Sequence, residues 1–408
     1  MTGREIDVAI LGGGLAGGLT ALALAARRPD ARILLVEAGP RLGGNHVWSY
    51  FASDIPASAA WLVKPLAAAK WRGYGVRFPA FRRQLASSYR SITSDRLDAA
   101  LREALPAEAI LTDARVTAVK AHGFTLADGR EFRAGAVIDA RGAASFPGLV
   151  GGWQKFVGQM LRLEQPHGLT QPVVMDANLR QHEGFRFVYV LPFGPDRVFV
   201  EDTYYAASPV IDRDVLVGRI ADYAAAQQWT IAEVLGEEQG VLPVVAGGDP
   251  AALWAGPAGV ARIGVGAGLF HPLTGYSLPM AVRMAAMIAD LPDLAGAAIA
   301  VACAERARRH WRGGAYYRLL TRMLFGASTP QARYKVFERF YRLDAGLIER
   351  FYAGRSTWRD RLRLVAGRPP VPIGAALRSL LGGGVPLARL DDLDRTHHPA
   401  RAGEEEDL

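Results

Sequence analysis

Two acidic side chains, Glu201 and Asp202, stand inside an aromatic and β-branched run, Phe199-Val200-Glu201-Asp202-Thr203-Tyr204-Tyr205. Side chains alternate along a strand, so Phe199, Glu201, Thr203 and Tyr205 share one face, while Val198, Val200, Asp202 and Tyr204 share the other. Glu201 is thereby flanked by aromatic and small groups, as on the wall of a pocket. A carboxylic acid in an apolar place has a raised pKa and stays protonated at neutral pH, able to deliver a proton. Aromatic faces beside it stabilise a cation that water would trap. The competing reading is an acidic pair at the solvated turn of a hairpin, the usual fate of adjacent carboxylates.

A second constellation opens the chain. The apolar run Ile6-Asp7-Val8-Ala9-Ile10-Leu11 leads into Gly12-Gly13-Gly14-Leu15-Ala16-Gly17, then a helical stretch to Arg28, then Ile33-Leu34-Leu35-Val36 and Glu37. This order of strand, glycine turn, helix, strand and acid is the dinucleotide-binding fingerprint. Gly12 permits the tight turn, Gly14 lets the backbone approach a pyrophosphate, and Gly17 packs the helix on the strand. The helix N-terminus favours a phosphate, and Glu37 is placed to accept hydrogen bonds from a ribose. Two further strand ends carry glycine: Ala136-Val137-Ile138-Asp139-Ala140-Arg141-Gly142, and Ile263-Gly264-Val265-Gly266. The loop after the latter, with Thr274 and Gly275, opens a helix from Leu278 to Asp290. A nicotinamide dehydrogenase needs only the first glycine turn. Three of them around an inserted sheet favour the longer FAD.

The elements that must hold these groups can be read coarsely. Ser94 to Leu105 is helical, and Arg115 to Leu126 is a small antiparallel meander. Phe185 to Phe193 and Arg197 to Tyr205 form a hairpin about Gly194-Pro195-Asp196. A helix follows from Asp212 to Gln228, and the end of the chain is helical to about residue 365. The expected division is a cofactor domain of residues 1–50, 85–150 and 255–295, a substrate domain of 51–84 and 151–254, and a helical region of 296–408. Its 408 residues suit such interleaved subdomains. The single cysteine, Cys303, excludes an internal disulfide and a thiolate metal cluster, and no metal site is expected. No stretch of apolar residues is long enough to span a bilayer. The strand beginning at Ile6 leaves no room for a signal peptide, so residence on the cytoplasmic side is expected.

Four blocks resemble a known family: Gly43-Gly44-Asn45-His46-Val47-Trp48-Ser49; Pro166-His167-Gly168-Leu169 with Val174-Met175-Asp176-Ala177; Phe199 to Tyr205; and His271-Pro272-Leu273-Thr274-Gly275-Tyr276-Ser277. The chain, over roughly residues 5 to 350, resembles bacterial flavoprotein lycopene beta-cyclases, within the glutathione-reductase type of FAD proteins. The resemblance implies an α/β fold with a Rossmann-type FAD domain, an inserted antiparallel-sheet substrate domain and a helical C-terminal region. It implies closure of the linear ends of lycopene into β-rings, through γ-carotene to β-carotene, with no net redox change. FAD in its reduced form and NAD(P)H as electron donor come with it. On this resemblance Glu201 and Asp202 are the catalytic candidates. Phe199, Thr203, Tyr205, His271 and Tyr276 are the substrate candidates, and Gly44 joins the cofactor residues named above. One departure from related aromatic hydroxylases is that Gly266 is followed by Ala267 rather than an acid, which argues against a monooxygenase. The alternatives are a desaturase or reductase acting on a prenyl lipid, and a lipid-binding flavoprotein without turnover.

Charge adds a membrane. From Glu305 to Arg368 there are 16 Lys/Arg against 5 Asp/Glu, in a chain of net charge +8. Phe337, Phe340, Tyr341, Leu347, Ile348 and Phe351 recur there at helical spacing. Such a helix packs its aromatics on the core and shows arginine to water, or it lies as a basic amphipathic surface on anionic lipid. Arg339, Arg342 and Arg350 are the candidates for the latter. Nucleic acid is not expected, because no recognition module accompanies the charge. At about 0.8 kcal/mol per CH₂, drawing a forty-carbon polyene into water would cost on the order of 30 kcal/mol. Its pocket must therefore open toward a bilayer.

Overall fold

The computed structural model describes residues 6–366, 372–382 and 384–391. The apolar N-terminal run forms strand β1 (Ile6–Leu11), followed by helix α1 (Leu15–Arg27) and strand β2 (Ile33–Val36). β1 pairs in parallel with β2 on one side and with β3 (Glu131–Asp139) on the other. The short strand Ala261–Arg262 pairs in parallel with the last two residues of β3, and the meander strands Val116–Lys120 and Gly123–Leu126 complete the far edge. α1 packs between helix Ser94–Ala104 and α2 (Leu278–Ala289). The glycine turn is tight because the chain makes it so. Gly12 has φ +105°, and a Cβ on Gly17 would lie 1.9 Å from the Gly12 carbonyl oxygen.

The inserted sheet is antiparallel except at one join. Its long strands are β4 (Leu149–Leu163), β5 (Phe185–Pro192), β6 (Arg197–Ala206) and β7 (Ile231–Gly248). They run in the order β7-β4-β6-β5, followed by Val173–Asp176, Tyr74–Phe78 and Phe81–Leu85. The expected hairpin is β5 and β6, in register from Phe185 opposite Tyr205 to Pro192 opposite Val198. The strand β7, eighteen residues long, does not appear in the sequence reading. One face of the sheet, with Val157, Val188, Val200 and Tyr204, is covered by helix Arg213–Ala226. The other face turns Phe185, Phe187, Phe199 and Tyr205 toward the C-terminal helices.

Those helices are α3 (Ala315–Gly326), α4 (Tyr334–Tyr341), α5 (Ala345–Tyr352), α6 (Trp358–Val365) and α7 (Ile373–Leu380). Phe337, Phe340, Leu347, Ile348 and Phe351 are all buried, and the Phe337 ring stacks on Phe185 with centroids 4.5 Å apart. This stripe is core. The arginines expected to meet lipid are also occupied within the protein. Arg350 makes two hydrogen bonds to Asp360, at 2.7 and 2.6 Å. Arg342 donates to Glu338 and to the Ala80 carbonyl and lies over Phe81. Arg339 donates to the Ala366 carbonyl. Short helices in tight succession give Arg339, Arg342 and Arg350 partners on neighbouring elements. Among the described residues no helix is long and apolar enough to cross a membrane.

The two glycines of the turn should separate on substitution. Gly17→Ala should lower the unfolding free energy by at least about 2 kcal/mol in urea titrations, since the new methyl group overlaps a carbonyl oxygen. A Cβ on Gly14 meets no protein atom within 4 Å, so Gly14→Ala should stay within about 0.5 kcal/mol of the parent. Equal losses would place the tightness of this turn somewhere other than Gly17.

Candidate active site: a glycine-lined cleft joined to an aromatic chamber

The ends of β1, β2 and β3, the meander and the N-terminus of α2 enclose a cleft of about 1110 Å³. That exceeds the usual range for a small-ligand site and suits an extended dinucleotide. Gly12, Gly14, Glu37, Gly44, Asp139, Gly142, Thr274 and Gly275 line it. Both carboxylate oxygens of Glu37 are oriented by the backbone, accepting from Gly13 N–H at 2.7 Å and Gly39 N–H at 2.9 Å. Asp139 faces the cleft while paired with Arg141, whose guanidinium holds its carboxyl below the usual range against the opposing effect of burial. Gly14 and Gly142 have no atoms where a Cβ would sit, so the cradle is open to a ligand.

Two of the sequence candidates serve packing instead. Gly17 does not line the cleft. Neither does Gly266, where a Cβ would lie 2.2 Å from the Gly142 carbonyl oxygen. The glycine that turns the third strand end into the cleft is Gly264, with φ +72°. Its position two residues earlier was visible in Ile263-Gly264-Val265, but a lone glycine in such a run carries no direction.

Beyond Thr274 and Tyr276 the cleft meets a chamber of about 150 Å³, walled by Phe51, Tyr89, Phe187, Tyr189, Tyr205, Phe337 and Tyr352 with Glu201 among them. The tyrosine hydroxyls are mostly paired with each other: Tyr89 with Tyr189 and Tyr341 with Tyr352, each at 2.6 Å. The rings are left to face the chamber. Gln154, Thr274, Tyr276 and Glu201 belong to both spaces. The Gln154 Oε1 and Thr274 Oγ1 atoms are buried and have no hydrogen-bond partner among the described residues. Such orphaned polar atoms, in a wall shared by cleft and chamber, are where a bound polar ring would find partners.

Glu201 is buried, and its register explains its surroundings. On the sheet Glu201 of β6 and Glu238 of β7 both stand opposite Gly158 of β4. A Cβ on Gly158 would lie 2.4 Å from the Phe199 ring and 3.3 Å from the Glu201 Cβ. The missing side chain lets the two glutamates converge from either side. Burial first, then the nearby Glu238, pushes the Glu201 carboxyl well above the usual carboxylate range, against the Thr203 hydroxyl that donates to its Oε1. Glu238 is itself buried and lines the cleft; its Oε2 accepts from the Val47 N–H at 2.7 Å. Sequence reading missed Glu238 because Glu237-Glu238 lies in a polar, glycine-interrupted stretch with no strand pattern.

The other candidates divide. Tyr205 and Tyr276 line the chamber. Phe199 fills the space beside Gly158 instead, and Thr203 acts through its bond to Glu201. Tyr276 donates to the buried Asp54 at 2.9 Å; burial raises the Asp54 pKa to about 7. His271 does not reach the chamber. Its ring lies against Tyr317 and Phe351, and burial lowers its pKa to about 3, so it is a neutral core imidazole. Its carbonyl accepts from Gly275 N–H and its N–H donates to the Tyr276 carbonyl, which shapes the turn presenting Thr274. Asp202 points to the opposite face of the sheet, away from both spaces. It is fully buried in an ion pair with Arg186 at 2.7 Å and accepts from Tyr204 at 2.7 Å. That is a structural network rather than a place beside a substrate. Among the described residues no cluster of His, Cys, Asp or Glu could hold a metal.

The arrangement has known relatives. Residues 7–378 match the lycopene cyclase protein family. The lycopene beta-cyclase of Pseudescherichia vulneris is 47% identical over 92% of this chain and 97% of its own length. That of Pantoea ananas is 44% identical over 92% of this chain and 98% of its own. Among solved structures, pqsL, a probable FAD-dependent monooxygenase from Pseudomonas aeruginosa, superposes with a TM-score of 0.54 at 20% identity, covering 78% of this chain and 96% of its own. A geranylgeranyl bacteriochlorophyll reductase-like protein from Thermoplasma acidophilum gives 0.57 at 13% identity, over 93% and 99%. These last two share the fold. With the family match spanning nearly all of the described residues, the chain belongs to the lycopene cyclase family.

Proposed function

We propose that this protein binds FAD in the glycine-lined cleft and closes the linear ends of lycopene into β-rings, an isomerisation carried by acid–base chemistry at Glu201. The observation that carries the reading is a buried carboxyl, its pKa pushed up by burial and by Glu238, in the wall of an aromatic chamber that opens onto a dinucleotide-sized cleft. The names of the relatives support the same substrate. Gly12, Gly14 and the N-terminus of α1 would hold the pyrophosphate, Glu37 a ribose, and Gln154 with Thr274 the ring system. Bound in its reduced form, with NAD(P)H as electron donor, FAD would supply negative charge beside a developing cation without consuming electrons.

The remaining work falls to the chain. Glu201 gives its proton to the terminal alkene, leaving a tertiary cation that the internal double bond captures as the ring closes. Loss of a ring proton to a carboxylate restores neutrality, so mass and oxidation state are unchanged. The paired tyrosines exclude water, and their ring faces stabilise the positive charge while it lasts. Glu238 is the positioning residue that keeps the proton on Glu201.

The first test is anaerobic incubation of the holoenzyme, its FAD pre-reduced, with lycopene in liposomes. A cyclised product of unchanged mass, formed many times per flavin, is expected. A mass shift by hydrogen would move the protein to the redox enzymes, and no conversion would leave a binder. Glu201→Gln should retain flavin and lose cyclisation, together with deuterium uptake from D₂O at the gem-dimethyl end. Asp202→Asn should act through folding, lowering stability by roughly 3 kcal/mol as a buried pair is broken. Near-normal turnover by Glu201→Gln would remove the acid–base role.

A pH profile tests Glu238. The active form carries the proton on Glu201, so the rate should hold at low pH and fall as pH rises through the raised pKa. Glu238→Gln removes the neighbouring negative charge, and the alkaline limb should move to lower pH. An unmoved limb would mean that burial alone sets the protonation of Glu201.

A further inference from the structure

The Glu201 chamber is closed by the C-terminal helices, and those helices contain a second cavity, of about 130 Å³. Its walls are mostly apolar, with Leu320 and Met323 of α3, Val336 and Phe340 of α4, and Leu364 and Val365 of α6, and Arg339 is the one charged residue among them. Phe337 and Tyr352 line both this cavity and the Glu201 chamber. Two rings therefore partition one from the other. At its far end the cavity reaches the surface at Val365, which is 48% exposed.

The helix at that mouth has an unusual outer face. Trp358, Leu362 and Val365, at i, i+4 and i+7, are 67%, 57% and 48% exposed, forming a single apolar stripe. Arg359, Arg361 and Arg363 alternate with them, all exposed. None of the three forms an ion pair with a carboxylate among the described residues. The only acid of the helix, Asp360, is buried and held by Arg350. An apolar stripe flanked by uncompensated guanidinium groups is the composition of a helix lying in the interface of an anionic bilayer.

We propose that α6 docks on anionic lipid, and that the apolar passage between α3, α4 and α6 is the portal through which a polyene end passes from the acyl phase to Glu201. The portal's cargo rests on the cyclase reading above; the docking rests on the helix face alone. A hydrocarbon end would then travel from lipid to chamber along mostly apolar walls, past Arg339, without crossing bulk water, and Phe337 and Tyr352 are the rings it must displace.

The experiment uses the FAD-loaded protein and vesicles of phosphatidylcholine with phosphatidylglycerol in equal parts, against phosphatidylcholine alone. The parent should sediment with the anionic vesicles and much less with the neutral ones. The variants R359E/R361E/R363E and Trp358→Ser with Leu362→Ser should each bind the anionic vesicles roughly tenfold more weakly or worse. Both should convert lycopene in detergent micelles at the parent's rate, because none of these side chains lines the passage. Undiminished vesicle binding by both variants overturns the docking. For the portal, Met323→Trp fills the passage and should lower kcat/KM at least about tenfold in micelles and vesicles alike, with normal flavin content. Should that variant fail to fold, Leu320→Trp makes the same obstruction. Full turnover by a folded, flavin-loaded variant overturns the portal. Absence of product from the parent in micelles would instead count against the cyclase reading, while the vesicle measurements would still decide the docking.

Discussion

A carboxyl group stays protonated at neutral pH only where water is kept from it, and the inserted sheet surrounds Glu201 in that way. Glu201 and Glu238 project from strands on either side of β4, and Gly158 between them contributes no side chain. Burial alone disfavours charge on Glu201; a second carboxyl nearby disfavours it further. The contrast with Asp202 is instructive. One residue along the same strand, it faces the other side, where Arg186 and Tyr204 supply its partners. Two adjacent acids thus have opposite tasks, set by the pleat of the sheet.

Water is kept from the chamber by something other than aliphatic packing: its walls are polarisable rings. Paired tyrosines meet both demands. Each hydroxyl satisfies its neighbour, as in Tyr89 with Tyr189, so the polar ends need no water and the ring faces stay free. Tyr276 finds its partner in Asp54 instead. A chamber lined by leucine would exclude water equally well, but would offer less to a positive charge.

Much of this was legible in the sequence. The glycine turn, Glu37 and the hairpin bearing Glu201 were read from spacing and alternation, since local geometry dictates those signals. The partition of Glu201 from Asp202 followed from the period of a strand. Glu238 was not legible. Most of the first half of β7 is exposed, with charged and apolar residues mixed, so its strand conformation comes from the ladder with β4, a partner distant in sequence. Gly266 was misplaced for a related reason: Gly264 and Gly266 are alike in sequence, and only the packing of Gly142 tells which one faces the cleft. The basic stretch stayed open between core and lipid because helical spacing shows a stripe without saying what covers it. The stripe of α4 and α5 is core, whereas that of α6 is exposed.

The stacking of Phe337 on Phe185 also bears on how the protein is made. One wall of the chamber is laid down early in the chain and the other a hundred and fifty residues later, so loop closure must precede the contact that seals it. A chain leaving the ribosome N-terminus first would have its cofactor turn and hairpin long before it had α4. During that interval the sheet face bearing Glu201 lacks the rings of Phe337 and Tyr352 that wall its chamber. The enclosure of Glu201 is therefore a property of the finished chain, acquired when the last helices close over the sheet.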